Sequence, residues 1–247
     1  VVRQPVIDAL RNHADIERQK QLLRRELAQD PLAGGAERQL SGKAAELLRR
    51  EPSYRASPRI LVSPVPALQQ VRINCLVDGR ELIVPGRGLK DGFYLLKPYT
   101  VPFHALPHAV SIKGLAAAGR KLSRAEVEKL SLGLLVTGAV AVDRLGNLLG
   151  DGLGFFDLSW AVLAELGALR DDAVVAACVN EAQIVETPLP ADCWDVPADI
   201  IVTEKGVYPA PHDAPAPRRL FWQHLPERRT RKITPIWWLR ESRPPEP

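Results

Sequence analysis

"RILVSPVPALQQVRINCLVDGRELIVPG" (Arg59–Gly86) decides the fold. "RILVS" is a short apolar run bounded by proline. "PALQQVRINCLVDG" spaces its apolar residues as an amphipathic helix and closes on Gly79, a good residue just past a helix end. "ELIVPG" is a second apolar run, and "GFYLLKP" from Gly92 reads as a third strand. Strand, helix and strand, with strands apolar nearly throughout, signal a parallel sheet covered on both faces.

Outward from this unit, the N-terminal 50 residues read as helix. "IERQKQLLRRELAQD" sets Ile16, Leu22, Leu23 and Leu27 roughly on one face, "PLAGG" breaks the run, and "SGKAAELLRREP" resumes it with Ser41 as N-cap and Pro52 as stop. Tyr99–Leu115, rich in Pro and His, reads as an ordered loop. "SRAEVEKL" is a short helix capped by Ser123. The stretch Leu132–Leu169 holds a buried strand, a hairpin turned at "DRLG", a glycine loop and a helix ending at Gly167. "AVVAACV" and "ADIIVTE" are two further strands. The prolines of "NEAQIVETPLPADCWDVP" between them favour an extended surface path. A Pro/Ala linker begins at Pro209, and "TPIWWLRE" is expected as a last edge strand. The expected architecture is three-layer, Rossmann-like α/β: a mostly parallel sheet with helices on both faces. Residues 1–52 form a helical cap, 53–208 the core, and 209–247 a Pro-rich linker with an edge segment.

The chain has 247 residues, 46% of them hydrophobic, and a net charge of +4. No apolar run reaches the roughly 18 residues a membrane span needs. The charged N-terminal stretch is not expected to act as a leader. Three cysteines without a C-x-x-C support neither a disulfide framework nor a zinc site, so a cytoplasmic setting is expected. The five histidines are scattered, and a metal held by protein ligands alone is not expected. The basic run "RRTRK" (Arg228–Lys232) suits an anionic partner. It leaves open a nucleic-acid or protein interaction module, although no motif of such modules accompanies it.

Chemistry concentrates in "LLGDGLGFFDLSW" (Leu148–Trp160). Alternating Gly150, Gly152 and Gly154 let backbone amides converge on one concavity, and the helix that follows adds its free N–H groups and positive dipole end. Gly150, Gly152, Gly154, Phe155 and Asp157 are therefore the candidate anion- or nucleotide-binding loop. The loop lacks the Lys-Ser/Thr of a P-loop, and its spacing is not the dinucleotide fingerprint.

"VAVDRLGNLLGDGLGFFD" followed by "EAQIVETPLPADCWDVPADIIVTEKGV" resembles the 5-formyltetrahydrofolate cyclo-ligase family. That family carries an R-L-G-x-G-G-G-Y-Y-D-R loop, then a glutamine, a proline, an H-D pair and a T-E step. The matching positions are Leu148 to Leu158, then Gln183, Pro190, Asp195, Thr203 and Glu204. The resemblance is continuous from about Gly133 to Val207 and weaker from Arg59 onward. It implies ATP- and Mg²⁺-dependent closure of 5-formyltetrahydrofolate to 5,10-methenyltetrahydrofolate, a small-molecule partner that is a folate or a phosphorylated metabolite, and Asp157 as a Mg²⁺ contact.

The chain departs from the pattern where charge matters. The family's two loop arginines are Leu148 and Leu158, its tyrosines are Phe155 and Phe156, one glycine is Leu153, and the histidine before Asp195 is Trp194; Asp151 adds a negative charge. Leucine cannot clamp a phosphate. "FFDLSW" resembles the D-L-E-[WY] sequence of the cyclo-ligase-like branch, with Ser159 at the acidic position, as do "VSIKGLAAAG" and "RRLFW…TPIWWL"; that branch has been linked to thiamine-related metabolism. The expectation is a cyclo-ligase-like protein of one-carbon metabolism with a degenerate ATP loop, and the alternative is an active cyclo-ligase. Lys113, Gln183 and Asp195 are candidate pocket residues. Arg24 and Arg25 of the N-terminal helix are candidates to replace the lost arginines.

Overall fold

The computed structural model describes residues 4–29, 42–212, 215–225 and 230–241, with side chains of the first segment described over 12–28. Ser41, Arg228 and Arg229, singled out above, lie outside the described residues. The helices are α1 (Gln4–Gln29), α2 (Gly42–Arg50), α3 (Pro52–Ala56), α4 (Gln69–Val77), α5 (Leu106–Ala109), α6 (Ile112–Ala118), α7 (Arg124–Val127), α8 (Phe155–Glu165) and α9 (Thr234–Glu241). The strands are β1 (Arg59–Val62), β2 (Glu81–Pro85), β3 (Phe93–Leu96), β4 (Arg120–Lys121), β5 (Leu132–Thr137), β6 (Ala141–Asp143), β7 (Leu148–Leu149), β8 (Leu169–Cys178), β9 (Ile184–Val185), β10 (Ile200–Val202) and β11 (Val207–Pro209).

The main sheet runs β11-β10-β8-β5-β1-β2-β3-β4. Its five central strands are parallel, and β11, β3 and β4 are antiparallel additions at the edges. Alternation along each strand feeds two cores. Leu61, Ile83, Leu135 and Val175 face α8 and α9. Ile60, Val62, Leu82, Val84 and Leu134 face α2 and α4. The expected three-layer, mostly parallel α/β architecture is what the chain forms.

Helix ends follow the local sequence. Past α4, Gly79 takes φ +74°, and Arg80 N–H bonds the Cys75 carbonyl at 2.9 Å. Past α8, Gly167 takes φ +67°, and Ala168 N–H bonds the Leu163 carbonyl at 2.8 Å. Both are Schellman closures, which require the left-handed residue that glycine supplies. Ser123 and Glu126 form a capping box at α7.

Three expectations are corrected. Tyr99–Leu115 is not a loop: it carries α5, with Pro107 in its first turn, and α6, whose Ser111 hydroxyl accepts from Gly114 N–H at 3.0 Å. "TPIWWLRE" is the helix α9, because Ile236 and Leu239, three apart, share one face and enter the core against α8 while Trp237 faces out. The segment Asn180–Pro197 is no surface path. Its Ile184–Val185 pairs parallel with β6 to complete a small β7-β6-β9 sheet, and Leu189 and Asp192 are buried.

The chain steps from β1 out to β2, β3 and β4, then returns to the other side of β1 with β5 and continues outward through β8 and β10. The winding reverses between β1 and β5. In open α/β sheets the crevice beyond the carboxyl ends of the strands at such a reversal is the usual ligand site.

Candidate functional site

The β6–β7 hairpin delivers the glycine loop to that crevice. Its turn is held by Asp143, whose buried carboxylate accepts from the amides of Leu145 and Asn147, both at 2.9 Å, and of Leu189 at 2.8 Å. Gly152 and Gly154 then take φ +86° and +59°, and Gly154 is the N-cap of α8. One arm of the concavity is already filled: the Asp151 carboxylate accepts from Leu153 N–H at 2.8 Å.

The loop stands between two cavities. The first, about 160 Å³, lies over the β1/β5 reversal; Val65, Phe155 and Phe156 give it apolar walls, and Ser63, Thr137 and Asn180 its polar points. The second, about 330 Å³, lies on the other side of the loop and is lined by Lys20, Arg24, Arg219 and His224 opposite Glu17 and Asp195. Gly150, Gly154 and Asp157 line both cavities.

Asp157 sits in the first turn of α8, where the dipole favours a carboxylate, and its Oδ1 accepts from Val196 N–H at 3.0 Å. Burial, with the charge of Asp195 nearby, pushes its pKa up to about 6; the Val196 amide and Lys20 act against this. Lys20 is buried and paired with Asp195.

Arg24 reaches the glycine loop from α1. Its Nε donates to the Gly150 carbonyl at 2.8 Å and its Nη1 pairs with Glu17 at 3.0 Å. Arg25 is exposed and lines neither cavity. Leu158 is buried and Leu148 packs partly buried against the same core. Gln183 lines the first cavity, but its amide is committed: Nε2 donates to Ala139 O at 2.6 Å and Oε1 accepts from Asn180 N–H at 2.8 Å. Lys113 is exposed on α6 and lines neither cavity. Thr203 and Glu204 hold the Glu181 turn, through Glu181 Oε2 at 2.6 Å and Glu181 N–H at 3.1 Å, and stand outside both cavities.

Sequence reading named Arg24 but missed three other contributors. On α1, Lys20 lies one turn before Arg24 and lines the second cavity with it, while His13 lies two turns further back, against Trp194; Leu23 and Leu27 dock beside them, whereas Leu22, expected on that face, is 50% exposed. Arg72 in α4 is fully buried, donates to the carbonyls of Ser63 at 2.7 Å, Val65 and Val110 at 2.9 Å, and so fixes the wall of the first cavity. Burial pushes its pKa down to about 10. Third, His13 and His224 pack on Trp194 with ring centroids 4.6 and 4.7 Å away.

A doubly wound sheet with a glycine loop opening onto a helix at its reversal defines an open α/β protein with a crevice beyond its strand ends. More narrowly, residues 15–204 match the 5-formyltetrahydrofolate cyclo-ligase family, and the chain belongs to it. A methenyltetrahydrofolate synthase domain-containing protein of Danio rerio is 26% identical over 184 residues, 73% of this chain and 48% of its own length. The Homo sapiens protein of that name is 24% identical over 172 residues, 68% and 44% of the two chains. The chain thus spans about half the length of the curated relatives it matches. The 5,10-methenyltetrahydrofolate synthetase of Aquifex aeolicus shares the fold, with TM-score 0.52 and 21% identity over 83% of this chain and 99% of that one. No helix among the described residues is long and apolar enough to cross a membrane.

Proposed function

We propose that this chain binds a folate-type small molecule of one-carbon metabolism across the glycine loop, without the ATP-driven ring closure that the family resemblance implies. A flat ring suits the first cavity, between Phe155, Phe156 and Val65 with Ser63, Thr137 and Asn180 at its edges. An anionic tail, carboxylate or phosphate, suits the second, beside Arg219, whose guanidinium lies over the Phe221 ring.

The single observation that carries the reading is the loop's occupied state. Asp151 takes the Leu153 amide, and the two positions where the family keeps arginine are leucines packed in or against the core. A triphosphate needs free amides and unpaired cations at once. Asp157 and Asp195, the carboxylates that would hold Mg²⁺, are engaged by the Val196 amide and by Lys20. The residues present therefore do not fit Mg-ATP as they stand. A second reading, the active cyclo-ligase, has one observation in its favour: Arg24 brings a guanidinium to Gly150.

Calorimetric titration with 5-formyltetrahydrofolate, with and without Mg-ATP, tests the proposal, together with an absorbance assay for the methenyl product. The expected result is binding of similar affinity in both conditions and no product. ATP-dependent product formation overturns the non-catalytic reading, and absence of folate binding overturns the ligand.

A further inference from the structure

Behind Trp194, away from the glycine loop, three side chains of different chemistry converge. His13 Nδ1 of α1 lies 2.7 Å from Asp192 Oδ1 and 2.9 Å from Asp192 Oδ2. Cys193 follows Asp192 in the chain. One ligand atom from each of His13, Asp192 and Cys193 falls within 4.8 Å of the others. The Asp192 side chain is 3% exposed and that of His13 20%, while the Cys193 thiol opens to solvent. The His224 ring, 4.8 Å from that of His13 between centroids, stands next to the group.

We propose that His13, Asp192 and Cys193 form a binding site for a zinc-class divalent cation. Imidazole nitrogen, carboxylate oxygen and thiolate sulfur together are the ligand set of a borderline-soft cation; Mg²⁺ and Ca²⁺ prefer oxygen alone. Tetrahedral coordination sets ligand atoms about 3.3–3.5 Å apart, so the His13 and Asp192 atoms open by about half an ångström to admit the cation and the Cys193 sulfur closes on them by about an ångström. The cation takes the place of the proton shared by His13 and Asp192, and Cys193 releases its thiol proton to bind as thiolate. The fourth position is left to water or to His224. The ligands come from positions 179 residues apart, so a bound cation ties α1 to the loop that carries Trp194 and Asp195. Because α1 also bears Lys20 and Arg24, this clip sets how firmly the second cavity is closed. None of this depends on which ligand that cavity takes.

The test uses the full chain, kept reduced and stripped with a chelator, and titrated with Zn²⁺ by calorimetry and Co²⁺ by absorbance. One equivalent is expected to bind at micromolar concentration or below. A thiolate-to-cobalt charge-transfer band should appear in the near ultraviolet; Cys75 and Cys178 are buried in the core, so that band reports Cys193. Cys193→Ser should abolish the band, and both Cys193→Ser and His13→Ala should weaken Zn²⁺ binding at least about tenfold. His104→Ala, an exposed histidine outside the cluster, should change nothing. Zn²⁺ should also slow tryptic cleavage within α1 in the wild type and not in Cys193→Ser, a variant on an exposed side chain that leaves the core untouched. Absence of saturable binding, or equal affinity in wild type, Cys193→Ser and His13→Ala, overturns the proposal.

Discussion

Arg24 Nε donates to the carbonyl oxygen of Gly150 at 2.8 Å, across 126 residues of sequence. The bond brings the N-terminal helix onto the glycine loop and sets a guanidinium where the loop's own flanking residues are leucine. The closeness of this approach is testable at the neighbouring glycine. A Cβ on Gly152 would meet the Arg24 guanidinium at 3.2 Å, whereas one on Gly154 meets nothing nearer than Asp157 Oδ2 at 3.9 Å. Both glycines have positive φ, so each alanine carries a backbone cost of about 1–2 kcal/mol. Gly152→Ala should in addition displace Arg24. Trypsin should therefore cleave α1 faster in Gly152→Ala than in Gly154→Ala, at comparable losses in Tm. Equal cleavage would show that Arg24 does not hold α1 down.

Lys20 lies buried against Asp195, with Asp157 close behind. Removing the ammonium leaves two carboxylates facing each other in a partly desolvated site. Lys20→Met should cost about 2–4 kcal/mol in urea unfolding at neutral pH. Adding Asp195→Asn should recover most of that loss, because the uncompensated charge disappears with it.

Asp157 gives the site a pH signature. Its pKa is raised from the ordinary 3.8 to about 6 by burial and by Asp195, so the folded state holds this proton more tightly than the unfolded chain. The stability it contributes is full below pH 3.8 and is lost as pH rises to about 6. Asp157→Asn keeps an oxygen for the Val196 amide and removes the titration. Its unfolding free energy relative to wild type should rise between pH 4 and pH 6 and then level off, with a gain on the order of 3 kcal/mol at pH 7. A flat difference across that range would contradict the assignment.

The family's arginines cannot simply be put back. Leu158 is 7% exposed within the core that joins α8 to the sheet. Leu158→Arg buries an unpaired cation there and should cost about 3 kcal/mol or more, measured by urea denaturation. Leu148 is only partly buried, so Leu148→Arg should cost less, and it is the better variant in which to look for gained nucleotide affinity.

Much of the fold was legible because its signals are local. Continuous apolar strands, Gly79 and Gly167 at helix ends and the Ser123–Glu126 capping box each act within a few residues. The errors came where tertiary context outweighed that pattern. The prolines of Asn180–Pro197 suggested a surface path, but β6 offered a free edge that drew Ile184–Val185 into a sheet. "TPIWWLRE" was expected as an edge strand, but Ile236 and Leu239 had a helix to pack on. For the site, the glycine loop and Asp157 were found as a motif. Lys113, a pocket candidate as a lysine beside Gly114, is exposed.

The sequence by itself determined the mostly parallel α/β core, the glycine loop opening onto α8, and the loss of arginine and tyrosine within that loop, since each is written in neighbouring residues. Only the tertiary structure decided what stands around the loop. Lys20 and Arg24 on α1, Asp195 and Trp194 on the β9–β10 connection, and Arg219 and His224 beyond β11 are far apart in the chain. Along the sequence Lys20 and His224 are unremarkable, and nothing there joins Arg24 to Trp194 and Asp195. They become a charged cavity only because α1 docks through Leu23 and Leu27 onto the small sheet, burying an apolar stripe and carrying its cations to the loop.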